Sequence, residues 1–319
     1  MTRYLARRAP SAAVVLLVSS MLVFAIIRLI PGDPASTLAG ADAPPSTVAL
    51  IRHNLGLDRS IPSQYVHWLG QILSGDLGHS YLIGGSIGSL VASSFGNTLL
   101  LTTSALVLSV IIALIVGPIW ATTRNRALEA VLTGANTLAV ALPTFVTGVL
   151  LVLLFGVVFP ILPSGGVPSD GMTASLSITA QYVLMPALCL ALPVAAVLSR
   201  YLAELLRTEL RQPYITTAKA LGVSQRRLVL RHALRNALPT TLTVVGIQVG
   251  SLLGGAVLVE AVFSWPGVGN LLEQAILRRD YPVVQVLLLM AVGLFVVVQL
   301  ITDILHASLD PRVRIGGVQ

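Results

Sequence analysis

The sequence predicts an all-α, polytopic membrane protein with six transmembrane helices, and three observations carry that reading. The 319 residues are 55% hydrophobic and 10% charged, with a mean hydropathy of +0.87, where a soluble domain carries about 25% charged residues. So little charge cannot keep a whole surface in water. Six stretches, at about 10–30, 98–120, 131–160, 182–199, 240–263 and 283–305, qualify as spans, which need about 20 apolar residues. Finally, the cations sort by loop. Alternating loops hold fifteen Lys and Arg on one side and five on the other, and the richer side is cytoplasmic. Both termini of a multi-pass membrane protein then lie in the cytoplasm.

The first span, 1–30 with its basic start, opens like a signal peptide. Its apolar run exceeds the usual 7–15 residues and no small-residue cleavage site follows before Arg28, so a retained helix is expected. Residues 31–97 form an extracytoplasmic segment. "IPGDPAS" ends the first helix, and "STVALIRHNLG" reads as a short helix with Ser46 as N-cap and Gly56 past its end. "IPSQYVHWLGQILSG" reads as another, with Pro62 early, Gly75 as its stop, and Val66, Leu69, Ile72 and Leu73 near helical spacing, a face that either packs on protein or lies at the membrane surface. Tyr65, Trp68 and Tyr81 suit an interfacial aromatic belt.

Residues 98–305 carry the other five spans, followed by a cytoplasmic tail, 306–319. Pro143, Pro186, Pro193, Gly250, Gly254 and Gly255 interrupt them, as kinks or as close backbone approaches. Arg28 and Asp303 lie near helix ends, where long charged side chains reach for the interface. The spans show no chain of buried carboxylates for a proton or sodium relay. The lone Cys189 excludes a disulfide or thiolate metal cluster within the chain.

The charge is concentrated in a loop at about 201–239. Eight of the twenty Lys and Arg fall between Arg200 and Arg235. "PYITTAKAL" starts a helix at Pro213, Gly222 ends it in the left-handed region, and Ser224 N-caps "QRRLVLRHALRNAL". Pro239 fits a helix start or kink. Topological charge alone and an amphipathic helix on anionic lipid both fit this pattern. A helix-turn-helix on nucleic acid does not, because membrane spans flank it.

"TTAKALGVSQRRLVLRHALRNALP" resembles the cytoplasmic coupling loop of permease subunits of bacterial ABC importers. That loop begins Glu-Ala-Ala, reaches a glycine and ends at Leu-Pro. Ala218, Gly222 and Leu238–Pro239 match it, while Thr217 stands near the expected Glu, as in the dipeptide/oligopeptide branch. "RLIPGDPA", "LGLDRSIPSQYVHWLGQILSGDLGHSY" and "EAVFSWPGVGNLLEQAILRRDYPVVQ" agree in order, so the resemblance runs from about residue 1 to 313.

The resemblance implies a type I ABC importer permease fold and half of a translocation pathway for di- or oligopeptides, with nickel or glutathione as cargo in related permeases. It implies a second homologous permease, two ATPase subunits and an extracytoplasmic substrate-binding protein as partners, besides membrane lipid. The ATPase-coupling loop would comprise Thr216, Thr217, Ala218, Lys219, Ala220, Leu221, Gly222, Val223, Ser224, Arg226 and Arg227. Residues 31–97 and "WPGVGNLLEQAILRRD" would help receive the binding protein, though Arg278, Arg279 and Asp280 read equally as an exposed charge group.

No cofactor is expected on this chain. Lys219 is its only lysine and lacks the P-loop glycines, so ATP and Mg would be used by the partner ATPases. Neither H-E-x-x-H nor paired metal cysteines occur. "GGSIG", Gly84 to Gly88, fits G-x-S-x-G, with His79 nearby and His306 at the end of the sixth span, so an intramembrane serine protease is the reading from another class. It lacks the strand–turn–helix context that exposes such a serine, and a loop is preferred. A passive pore has no positive feature here.

Overall fold

The computed structural model describes residues 2–29, 33–39, 43–54, 56–168 and 175–309, those of 2–9 and 301–309 by backbone alone. In chain order the helices are α1 (Thr2–Leu29), α2 (Pro34–Ala39), α3 (Pro45–Asn54), α4 (Ile61–Leu73), α5 (Ile87–Thr122), α6 (Arg126–Ala141) and α7 (Thr144–Leu151), which continues as a π-helix, Val152–Val158. They are followed by α8 (Leu176–Glu209), α9 (Pro213–Ala220), α10 (Gln225–Arg227), a π-helix at Leu228–Ala233, α11 (Leu234–Val262), α12 (Val268–Leu277) and α13 (Tyr281–Leu309). Among the described residues there is no strand, only an isolated antiparallel bridge between His79 and Ser86. An all-helical chain is what hydrocarbon demands, since a helix satisfies its own backbone.

Among the described residues four helices are long and apolar enough to cross a bilayer: Ile87–Thr122, Leu176–Glu209, Gln225–Val262 and Tyr281–Leu300. The bent pair Arg126–Ala141 and Thr144–Val158 makes a fifth if it is one span, and Pro10–Ile26 is a shorter apolar helix. These six correspond to the six predicted stretches, with two differences. The third is a broken rod, turned by 108°. Leu142 ahead of Pro143 adopts ψ 127°, because a proline ring disfavours the α region in the residue before it. The fifth does not begin near residue 240: the helix runs unbroken from Gln225, through Pro239, to Val262. One π-helical segment and one proline are absorbed without a stop.

The chain divides into two units. The first comprises Met1–Gly96 and Gly267–Val297. Its core joins Ile87 and Val91 of α5, Leu271 and Ala275 of α12, and Val283 and Leu287 of α13. Here α4 packs on α1 through aromatics, with Phe24 and Tyr65 edge to face at 5.3 Å and the Ser20 and Tyr65 hydroxyls 2.8 Å apart. Of the aliphatics of α4, Leu69 and Ile72 are half-buried, Ile72 against this core. Val66 is 67% and Leu73 79% exposed, because Tyr65 and Trp68, one turn apart, choose the buried side. Gly56 and Gly75 do end their helices at positive φ. Ser46 is inside α3 rather than its cap, since Pro45 supplies the first position with its φ already helical.

Asp280 is a further correction. Arg278 and Arg279 are exposed, but Asp280 is 1% exposed. Its Oδ2 accepts hydrogen bonds from Ser80 Oγ at 2.6 Å and from the Leu82 and Ile83 amides at 3.0 and 3.2 Å. A buried carboxylate persists only with such partners.

The second unit comprises Asn97–Pro266 and Val298–Gln319. At its centre α8 buries Met185, Ala187, Cys189, Leu190, Ala191 and Leu198. Pro186 and Pro193 are accommodated within this helix without a break. Thirty-four residues at 1.5 Å each give α8 a length of about 51 Å, beyond the ~30 Å hydrocarbon core, so one end must leave the lipid. Gly255 lets α11 approach α8, with Leu190 Cδ2 3.2 Å from where a Cβ would stand, whereas Gly250 and Gly254 face open space.

Candidate functional site: the α9 turn

Where α8 leaves the apolar region the chain reverses through α9 and re-enters at α10, and local chemistry fixes each step. Gln212 is extended and Pro213 takes the first helical position, where its missing N–H costs nothing. The other end is a Schellman closure. The Gly222 amide donates to Lys219 O at 3.0 Å and the Val223 amide to Ala218 O at 3.1 Å, with Gly222 at φ +80°. The hydrophobic contact this motif favours is made within the same core by Val223 and Ala218. Ser224 has the extended backbone of an N-cap, but its side chain makes no capping hydrogen bond.

A small apolar core holds the turn. Leu202 and Leu206 of α8, Ile215 of α9, Leu228 and Ala233 of the π-helix, and Ala237 of α11 are all buried together. A polar clamp sits beside it. The Tyr214 hydroxyl donates to Glu209 Oε2 at 2.6 Å, and Asn236 Nδ2 donates to the Tyr214 oxygen at 2.9 Å. Partial burial first, and then the hydrogen bond to the Glu209 carboxylate, push the Tyr214 phenol above its ordinary pKa. At the end of α8, Arg207 donates to Trp120 O at 3.2 Å and meets Glu129 at 3.4 Å.

The rest of the turn faces outward. Thr216, Thr217, Lys219, Ala220, Leu221, Gly222, Ser224, Arg226 and Arg227 are exposed, while Ala218 and Val223 tuck inward. Leu221 is 80% exposed at the tip, an apolar side chain beside a cation and two hydroxyls. A groove of about 310 Å³ runs alongside, lined by Pro118, Thr122, Gln225, Arg226 and Leu230 among others. Nine of the eleven predicted site residues are thus exposed, and Ala218 and Val223 pack against the core. The sequence reading missed Tyr214, Glu209 and Asn236, which anchor that surface. Glu209 and Tyr214 precede the predicted site residues and Asn236 follows them in the chain, and only folding brings the three together.

No group of three or more His, Cys, Asp or Glu fit for a metal occurs among the described residues. Ser86 and His79 meet through their backbones, yet no hydrogen bond joins the Ser86 hydroxyl to an imidazole among the described residues. Ser80 and Asp280 instead hold the loop that contains "GGSIG", Ser80 Oγ accepting from the Ile83 and Gly84 amides at 3.0 and 2.9 Å. Arg312, Arg314 and the Pro31–Gly32 stop lie outside the described residues, as do the side chains of Asp303, His306, Arg3, Arg7 and Arg8.

One more acidic residue escaped the sequence reading. Glu260, in the last turn of α11, is wholly buried, and Thr98 Oγ1 donates to its Oε1 at 2.6 Å. Nearby, Asn97 Nδ2 donates to Pro266 O and Trp265 Nε1 to Asn97 O. These bonds fasten the start of the "FSWPG" corner to α5.

The described residues thus form a helical membrane bundle with an exposed helix–glycine turn between two apolar helices, and the comparisons with known proteins place it in a family. The fold agrees: a solved chain of the MetNI methionine ABC transporter, in inward-facing conformations, aligns with a TM-score of 0.53 at 18% identity, covering 69% of this chain and 96% of that one. Residues 105–315 match the family described as binding-protein-dependent transport system inner membrane component, and residues 1–115 match its N-terminal part. The chain belongs to this family. Its relatives include the glutathione transport system permease protein GsiC of Escherichia coli O6:H1, 36% identical over 98% of this chain and 99% of the relative. The same protein of Salmonella choleraesuis is 35% identical over 98% and 99%. A putative peptide permease of Brucella suis biovar 1 is 35% identical over 99% of this chain and all of that one. The chain is therefore a permease component of an ABC importer and a multi-pass inner-membrane protein.

Proposed function

We propose that this permease imports short peptides, glutathione among them, and that its α9–Gly222 turn receives the stroke of a partner ATPase. The observation that carries this reading is full-length similarity to proteins named as glutathione and peptide permeases. Glutathione is itself a tripeptide, so the two names describe one chemical class. The turn adds the physical means. An exposed surface on a small core of its own transmits a push to α8 and α11, because packed side chains move together rather than deform.

In this reading a second homologous permease completes the pathway, two ATPases bind ATP and Mg below it, and a substrate-binding protein delivers cargo from outside. Both termini and the turn face the cytoplasm, in keeping with the basic loops. Leu221 fills an apolar pocket on the ATPase while Lys219, Arg226 and Arg227 meet its acids. This chain makes and breaks no bond; its work is alternating access. The test is ATP-driven uptake into proteoliposomes holding both permeases and both ATPases. Labelled glutathione and dialanine should accumulate only with ATP, Mg and the loaded binding protein. Accumulation of neither, in vesicles whose ATPases turn over, would overturn the reading.

A further inference from the structure

The first unit holds a cavity of about 660 Å³, inside the 300–1,000 Å³ range of small-molecule sites. Its wall joins the rings of Phe24 and Trp68 to the cations Arg59 and Arg279 and to Asp280 and Gln285. Much of the other charge is engaged. Arg28 donates to Gln64 Oε1 and lies 3.8 Å from the Phe24 centroid, and Arg52 pairs with Asp33 at 2.7 Å. Arg59 and Arg279 have no ion pair among the described residues.

Two buried atoms of this wall have no hydrogen-bond partner: Asp280 Oδ1, an acceptor, and Gln285 Nε2, a donor. Native proteins rarely leave such atoms unmet. Asp280 is delivered here by strained backbone, since Arg279 before it sits at φ +59°, a region that costs a residue with a Cβ. Its Oδ2 is fully used by the 80–83 loop, so Oδ1 is the atom to spare. The terminal torsion of Gln285 is soft, so its amide can turn to meet a ligand. The complement of this set donates at one end, accepts at the other and carries a negative charge beside the acceptor. A simple anion would meet Asp280, and a simple cation would meet the arginines.

We propose that the cavity binds the zwitterion of an amino acid or short peptide. The ammonium donates to Asp280 Oδ1, the carboxylate accepts from Gln285 Nε2 and a guanidinium of Arg59 or Arg279, and the side chain lies against Phe24 and Trp68. The inference rests on the short-peptide reading above for the source of the ligand, but binding is measured without transport.

The experiment is calorimetric titration of the assembled importer in nanodiscs, without nucleotide or binding protein, using dialanine, N-acetyl-dialanine and dialanine amide. Saturable binding of dialanine is expected, weakened about tenfold or more by either cap and about tenfold by Gln285→Leu. Asp280→Asn is read beside a thermal melt, because Asp280 also holds the 80–83 loop; Gln285→Leu replaces a carboxamide whose buried donor has no partner. Absence of dialanine binding overturns the proposal, and so does binding indifferent to both caps and to Gln285→Leu. Greater thermal stability of Gln285→Leu with no dialanine binding would also overturn it, leaving a hydrated void. Uptake without binding at this site sinks the cavity and spares the importer; binding without uptake does the reverse.

Discussion

Gly165 and Gly250 show how differently one residue type is constrained. A Cβ on Gly165 would stand 2.5 Å from the carbonyl oxygen of Phe263, whereas one on Gly250 meets nothing within 4 Å. Gly165→Ala must push backbone apart at the "FSWPG" corner and should cost about 1–3 kcal/mol. Gly250→Ala, inside a helix, should be neutral or gain up to ~1 kcal/mol. Thermal melts of the two variants in one detergent decide the matter. At Gly222 the obstacle is conformational, because φ +80° strains any residue with a Cβ whatever the space. Gly222→Val should leave insertion intact and cut ATP-driven uptake several-fold.

Tyr214 makes a pH-dependent prediction at the same scale. Its pKa is raised by folding, so its contribution is whole below the unfolded phenol value, ~10, and is lost as pH rises through the folded value. Hydrogen exchange of residues 213–220 should therefore accelerate above about pH 10. Tyr214→Phe should exchange faster already at neutral pH and lose that step.

Among the elements, α9 is small but has two distinct faces, and thiol labelling can read them. The native Cys189 is buried and should stay silent. Leu221→Cys should react quickly with a membrane-impermeant maleimide added from the cytoplasmic side, while Ile215→Cys should react only after denaturation. Labelling of Leu221→Cys from the outside alone would reverse the proposed orientation. This element was also largely legible in the sequence, since Pro213 and Gly222 act on their own neighbours through φ and a missing N–H. The broken third span was half legible: Pro143 announced an interruption, but its 108° angle depends on packing. Asp280, Glu260, Tyr214 and Asn236 were not legible as buried or clamped groups. Their partners lie 5 to 200 residues away, and no local pattern carries such distances. The aliphatic spacing of α4 left open whether its face packs on protein or lies at the membrane surface, and the aromatics Tyr65 and Trp68 are what pack on Phe24.

For the molecule as a whole, the account joins a motor outside the chain to a bundle within it. The turn sits on its own core of Leu202, Leu206, Ile215 and Leu228, so a push on α9 reaches α8, and α8 lies at the heart of the second unit. Weakening that core should uncouple the two ends. Ile215→Ala, which removes buried carbons at a cost of about 2–5 kcal/mol when the site is rigid, should leave the ATPases turning over while uptake falls. Equal loss of both activities would place the fault in assembly.

The central claim is that this turn touches the motor, and a cross-link tests it most directly. With Leu221→Cys in the assembled importer and a cysteine introduced along the permease-facing groove of the ATPase, a short bifunctional reagent should join the two chains. The yield should change between the nucleotide-free and ATP-bound states. No cross-link to an ATPase in either state, from Leu221 or from any position between Thr216 and Ser224, would contradict the account.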